Sequence, residues 1–235
     1  MNYIYTLKSY KCNKHCPYCI TKIIKRKEKE DILRLPEYLS NLKGNFDYFI
    51  LSGNGEPSLY SYEELNFIKS TAEESGKFKD FRIQTSGLLF NQENKLALFS
   101  DWLKEITVIS GDQSVDKLFY KYKDDYFEIA KKTKRVRCNL TLLLNNIDNL
   151  EHLTSELLSY YETVAIKLLD SNNEFIKNNA VPYDKAATIV HRLDSHLGLS
   201  FYNGNSGRYV WTHSNKCVTM SFGKEKHHDY IQIEG

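Results

Sequence analysis

From its first residues to about Asp170 the chain alternates short runs of β-branched and aromatic residues with longer stretches of helical spacing, and this rhythm leaves few architectures open. The strand candidates are Tyr3 to Ser9, Phe46 to Ser52, Phe81 to Thr85, Ile106 to Ser110, Val136 to Leu144 and Val164 to Leu169. Between them lie helical stretches: Pro36 to Leu42 with proline in the first turn, Tyr62 to Glu74 ending near Gly76, Glu93 to Lys104, Val115 to Lys132, and Ile147 to Tyr160. Strand and helix in regular turn predict an α/β fold, a parallel sheet joined by right-handed helical crossovers. After Asp170 the texture changes to a polar stretch, SNNEFIKNNAVPYDK, and then one more helix from about Tyr183 to Leu197. From Gly198 onward, turn residues separate short runs at Tyr209 to Thr212, Cys217 to Phe222 and Tyr230 to Ile233, which predict a small C-terminal β extension.

A chain of 235 residues has room for one sizeable α/β domain, here divided into residues 1–170 as the core and 171–235 as a helix and β extension of the same domain. No apolar run approaches the roughly 18 to 20 residues that span a bilayer, and the first residues, MNYIYTLKSY, lack the parts of an export signal. No membrane is expected as a partner, and the expected location is cytoplasmic. The net charge of +2 gives no broad phosphate-binding surface, so nucleic acid is not expected either; the basic runs Lys22 to Lys29 and Lys131 to Arg137 read as solvated edges. Seventeen tyrosines and twelve phenylalanines supply core volume and stacking faces for a planar ligand.

Five cysteines in a reducing compartment do not predict disulfides. Three of them, Cys12, Cys16 and Cys19, form a C-x3-C-x2-C cluster directly after the first strand, within the octapeptide CNKHCPYC. Thiolates at this spacing reach three corners of an iron-sulfur cube. A zinc site would need a further pair, and Cys138 and Cys217 stand alone, so zinc would have to recruit His15 or a distant residue. Three ligands for four irons leave one iron open to a second ligand.

The octapeptide resembles the cluster motif of the radical S-adenosylmethionine (SAM) superfamily. The resemblance implies a partial (β/α)6 TIM-like barrel over the six βα units, with one 4Fe-4S cluster and SAM as cofactors. In that family SAM chelates the open iron and is cleaved reductively to methionine and a 5′-deoxyadenosyl radical, which abstracts a substrate hydrogen. An electron donor such as flavodoxin or ferredoxin is the implied partner. Tyr18, just before the third cysteine, is implied to lie near the adenine.

A second segment, Leu51-Ser52-Gly53-Asn54-Gly55-Glu56-Pro57, is similar to the family's GGEP motif with Asn54 inserted. Glycines bring backbone close to a ligand and a carboxylate accepts from an ammonium, so Gly53, Asn54, Gly55 and Glu56 are candidates for holding the SAM amino group; the same residue types also make an ordinary turn. Strand parity puts Arg82, Gln84 and Ser86 on one face of strand three. Its end, Gln84 to Gly87, resembles a third-strand SAM-binding segment of the family. Ser110 after strand four is implied to contact the SAM ribose or carboxylate. On strand five Arg137, Asn139 and Thr141 share a face, which makes Asn139 a SAM-side candidate and turns Cys138 toward the helices. Lys167 on strand six either meets an anion of substrate or SAM or snorkels to the rim. His227 and His228 read as surface residues.

Absences narrow the choice of reaction. The two remaining cysteines do not suffice for the extra clusters of SPASM or twitch extensions, and the segments that mark glycyl-radical activases and deazaguanine-forming enzymes are missing. The expectation is an enzyme acting on a small-molecule or peptide substrate, with nucleotide or tRNA modification, glycyl-radical activation or a non-enzymatic iron-sulfur redox or sensor protein as alternatives. Substrate choice is expected in the segment after Asp170, where Tyr202, Arg208, Tyr209, Trp211, His213 and Cys217 are the most chemically capable residues; the alternative is that this segment only caps the barrel.

Overall fold

A computed structural model describes residues 4–8, 12, 16–19, 32–52, 55–87, 95–111, 113–121, 135–169, 174–182, 185, 188, 192–193, 200–204, 208–213 and 216–221. In chain order they form β1 (Ile4–Lys8), α1 (Leu35–Asn41), β2 (Phe46–Ser52), α2 (Tyr62–Glu74), β3 (Phe78–Thr85), α3 (Lys95–Leu98), β4 (Leu103–Ile109), α4 (Gln113–Lys121) and β5 (Val136–Leu142). Then follow α5 (Leu150–Tyr160), β6 (Thr163–Leu168), α6 (Glu174–Asn179), β7 (Ser200–Gly204), β8 (Arg208–His213) and β9 (Lys216–Ser221). The nine strands make one sheet in the order β1-β2-β3-β4-β5-β6-β9-β8-β7. Strands β1 to β6 pair in parallel with their sequence neighbours, the α/β arrangement of a partial TIM-like barrel.

The helices form where the sequence supplies both a start and an apolar stripe. Ser61 and Glu64 close a reciprocal capping box on α2, with the Ser61 hydroxyl accepting from the Glu64 amide at 3.1 Å and the Glu64 carboxylate accepting from the Ser61 amide at 2.7 Å. Leu65, Ile68 and Ala72 recur at helical spacing and are fully buried, the two larger ones contributing about 1.5–3 kcal/mol each. They pack with Phe49, Leu51, Ile83, Phe99 and Trp102 into one core beneath β2 and β3. A second core joins Ile106, Val108, Cys138, Leu140, Val164 and Ile166 to Leu150 and Leu157 of α5 and to Val218 of β9. These residues define the helix-facing side of the sheet. The opposite parity faces inward.

Two expectations are revised. The helix read from Glu93 to Lys104 is the single turn α3, and β4 begins earlier, at Leu103, because the 99–102 segment closes in short turns (Trp102 amide to Phe99 carbonyl, 3.0 Å). The C-terminal β extension forms as expected and is joined to the sheet. β9 pairs in parallel with β6, and β8 and β7 follow antiparallel, so they continue the sheet. The polar stretch after Asp170 also holds the helix α6. The strand expected at Tyr230 to Ile233, most of the helix from Tyr183 to Leu197, and His227 and His228 lie outside the described residues. Among the described residues no helix is long and apolar enough to cross a membrane.

Candidate cofactor and substrate site

Parallel pairing brings the C-terminal ends of β1 to β6 to one edge of the sheet, and the loops that leave this edge carry both motifs. Cys12, Cys16 and Cys19 follow β1 as half-buried cysteines outside any disulfide. A turn at Pro17 and Tyr18, closed by the Cys19 amide donating to the Cys16 carbonyl at 3.1 Å, folds the C-x2-C pair back on itself. Tyr18 anchors this loop: its side chain hydrogen-bonds with those of Thr141 and Ser110, and burial pushes its phenol well above the ordinary range. Its ring lies 6.4 Å from that of Phe175 in α6. The cysteine loop is thereby seated over the ends of β4 and β5. Gly111 allows the close approach there: its φ is +72°, and a Cβ would meet the Leu143 Cδ1 at 2.6 Å.

At the end of β2, Gly53 and Asn54 lie outside the described residues, while Gly55 and Glu56 are described. Glu56 is buried and its carboxylate accepts three hydrogen bonds from its own chain: from the Ser58 amide at 3.0 Å, the Thr85 hydroxyl at 2.5 Å and the Ser86 amide at 2.7 Å. It ties the loop after β2 to the end of β3. Lys95 of α3 secures the same loop, donating to the carbonyls of Ser58 and Tyr60. Of roughly four acceptor positions on a carboxylate, three are thus taken up internally. Ser110, also buried, donates from its amide to the Asp116 carboxylate at 2.8 Å, tying the end of β4 to α4.

The inward face carries a polar row that the sequence shows only in part. Gln84 accepts from the Ser52 hydroxyl and donates to Glu105 at 2.8 Å. Glu105 is 4% exposed, with Arg137 Nη1 at 3.5 Å and Lys167 Nζ at 3.8 Å. Burial alone would raise its carboxyl, but the charges of Lys167, Arg137 and Arg82 and the Gln84 amide outweigh it and hold the pKa below the ordinary range. Arg82 lies over the Tyr48 ring at 3.8 Å. Glu105 was missed because its strand was read as starting at Ile106; carrying the alternation back from Thr107 would have found it. Asn139, one step up β5 from Arg137, is 2% exposed, and its Oδ1 has no hydrogen-bond partner among the described residues, nor does the Ser86 Oγ. Cys138 is fully buried in the helix-facing core, as parity predicts, and burial pushes its thiol up.

Register sorts the C-terminal candidates. Lys167, the last but one residue of β6, pairs with Ser221 at the end of β9, and Ser221 pairs with Arg208. Arg208 is therefore in the row that reaches the functional edge. Cys217 pairs with Thr163, at the start of β6, four residues or about 13 Å down the strand. His213 pairs with Lys216, farther from that edge still.

The donor set fits an iron-sulfur cluster: three thiols at C-x3-C-x2-C spacing on one loop that follows β1 at the sheet edge. Among the described residues no three Cys, His, Asp or Glu side chains converge on a single-ion site. A cube takes its thiolates at separate corners and does not require such convergence.

No protein-family model matches the chain, and no curated protein does. Solved structures do share its fold. It is similar to native anSMEcpe with bound AdoMet, at a TM-score of 0.61 and 16% identity over 82% of this chain and 59% of that one. It is similar also to native anSMEcpe with bound AdoMet and the Cp18Cys peptide (TM-score 0.59, 16% identity, 83% of this chain and 59% of that one). With the Kp18Cys peptide in place the values are 0.60, 15%, 83% and 60%. At these identities the likeness is one of fold alone. The chain spans about three fifths of these neighbours' length.

Proposed function

We propose that this chain is a radical SAM enzyme and that its substrate is a peptide. The observation that supports the reading most directly is the position of Cys12, Cys16 and Cys19, at the C-terminal edge of a parallel sheet similar to that of AdoMet-bound proteins. The three thiolates would hold the cluster, which with SAM bound supplies one-electron chemistry giving a 5′-deoxyadenosyl radical. The chain's own residues do the rest. Tyr18 fixes the cysteine loop on β4 and β5, Gly55 with Gly53 and Asn54 offers backbone to the SAM amino group, and Ser86 and Asn139 present polar atoms along the inward face. Glu56 positions Ser86 and the end of β3. A peptide is favoured over a small metabolite because two of the similar structures hold one. Arg208, in the row of Lys167 and Ser221, is the C-terminal residue best placed for substrate, and flavodoxin or ferredoxin is the proposed electron source.

The test is anaerobic reconstitution with iron and sulfide. About four irons per chain and a broad brown absorption band are expected, with loss of both in the Cys12→Ala, Cys16→Ala and Cys19→Ala variants. Reduced protein is expected to form 5′-deoxyadenosine and methionine from SAM slowly without substrate. A full iron load in the triple variant, or a loaded protein that never cleaves SAM, overturns the reading.

A further inference from the structure

A chain of polar contacts crosses the inward face from β6 to β2. The Glu105 carboxylate of β4 has Arg137 Nη1 of β5 at 3.5 Å and Lys167 Nζ of β6 at 3.8 Å on one side. On the other side it accepts from the Gln84 amide of β3 at 2.8 Å, and the Gln84 carbonyl oxygen accepts from the Ser52 hydroxyl of β2. Each of these last two links has a fixed direction. Glu105 is held ionised, and an ionised carboxylate only accepts, so Gln84 must turn its NH2 to Glu105 and its carbonyl oxygen to Ser52. That oxygen takes the one hydroxyl proton Ser52 has. Glu105 thereby determines, through Gln84, that Ser52 meets any further group with its lone pairs alone.

Ser52 is at a position where this choice matters. It is the last residue of β2, it is only half-buried, and it pairs with Lys8, the last residue of β1, from which the chain runs on to Cys12. Ser52 therefore lies between the start of the cysteine loop and the end of β3. We propose that the Ser52 hydroxyl oxygen accepts a hydrogen bond from the amino group of SAM, and that Glu105, acting through Gln84, is the positioning residue that keeps this hydroxyl turned for accepting. A serine free to rotate would also offer its proton, and a donor facing an N–H is repulsive. The inference rests on the radical SAM reading above and deepens it, adding one residue at the cofactor and one behind it.

The probes are SAM and its deaminated analogue, in which hydrogen replaces the amino group. Both are bound by equilibrium dialysis to reconstituted but unreduced protein, so that neither is cleaved, and the quantity read is the ratio of the two affinities. Ser52→Ala is expected to lower the preference for SAM about fivefold or more, the loss of one hydrogen bond, with Ser52→Thr restoring it. Glu105→Gln should lower it as much: Arg137 and Lys167 draw the carbonyl of the new side chain, its NH2 turns Gln84 over, and Ser52 must then accept from Gln84. Gln84→Met breaks the same chain without removing a charge and should give the same loss, which covers a Glu105→Gln variant that fails to fold. Added to Ser52→Ala, Glu105→Gln should change the ratio by less than about twofold, because it acts only through the serine. Normal SAM binding with the ratio unchanged in Glu105→Gln or Gln84→Met overturns the proposal alone. Equal weakening of both ligands, the mark of a merely structural role, does the same. A reconstituted parent that binds neither ligand overturns it together with the radical SAM reading.

Discussion

Lys104 has no exposed surface, and its ammonium donates to the Ser100 and Trp102 carbonyls at 2.9 and 2.8 Å. Burial, with a smaller contribution from Arg135, lowers its pKa to about 8. Between about pH 8 and the unfolded value near 10.4 the unfolded chain binds the extra proton, so folding stability rises with pH through that window and is flat in this term below it. A neutral amine keeps two N–H donors, so both carbonyls stay satisfied. Urea titrations of the parent and Lys104→Met should therefore diverge in the parent's favour from pH 8 to pH 10. A constant difference would show that the lysine titrates normally. At the other end of the sheet Glu56 poses the opposite case. Glu56→Ala strands two amides and a hydroxyl, so it should cost about 3 kcal/mol of stability and weaken SAM binding, with the iron content kept. A variant as stable as the parent would mean that water replaces the carboxylate. The motif alone has Glu56 meeting the ammonium directly; a sequence gives the presence of a carboxylate but not how many of its acceptor positions the fold has already used.

At the scale of elements, legibility followed how well local pattern and burial agreed. Strand β2 and helix α2 lie where the sequence puts them, because the β2 run is flanked by turn residues and α2 has a serine start and a glycine stop, Gly76 at φ +63°. The start of β4 was lost because Lys104 and Glu105 resemble a solvated helix end. In the fold the lysine turns back to the carbonyls of Ser100 and Trp102, and the glutamate turns to the inward row, whose members are distant in sequence. Strand β7, SFYNG, contains the glycine and asparagine of a turn and becomes a strand only through pairing with β8. Of the candidate site, the cysteines and the inward parity of Gln84, Arg137 and Asn139 could be read directly. What could not be read was which candidates share an end of the sheet: Arg208 and Cys217 are nine residues apart and both looked equally capable, and only the antiparallel register separates them.

For the molecule as a whole, the last strand among the described residues, β9, occupies a position inside the sheet, between β6 and the earlier β8. The three strands β7, β8 and β9 pair only with sequence neighbours among themselves, so their contacts are local, whereas β6 with β9 joins residues about fifty positions apart. Local pairing closes faster than distant pairing, so the meander is expected to form as a unit and dock by one edge. Until it docks, the backbone of Thr163 to Lys167 is an open parallel edge with a buried, apolar helix-facing side, the kind of surface that recruits other chains. During refolding, amides of Val164 and Ile166 should gain hydrogen-exchange protection together with those of β9, and a chain ending at Leu193 should aggregate at concentrations where the parent stays monomeric; simultaneous protection of β5 and β6 ahead of β9 would contradict the order. The same arrangement makes translation a hazard, since a ribosome releases the strand that shields this edge about fifty residues after β6, and the demand for chaperone protection should therefore be greatest for nascent chains that already display β6 and still lack β9.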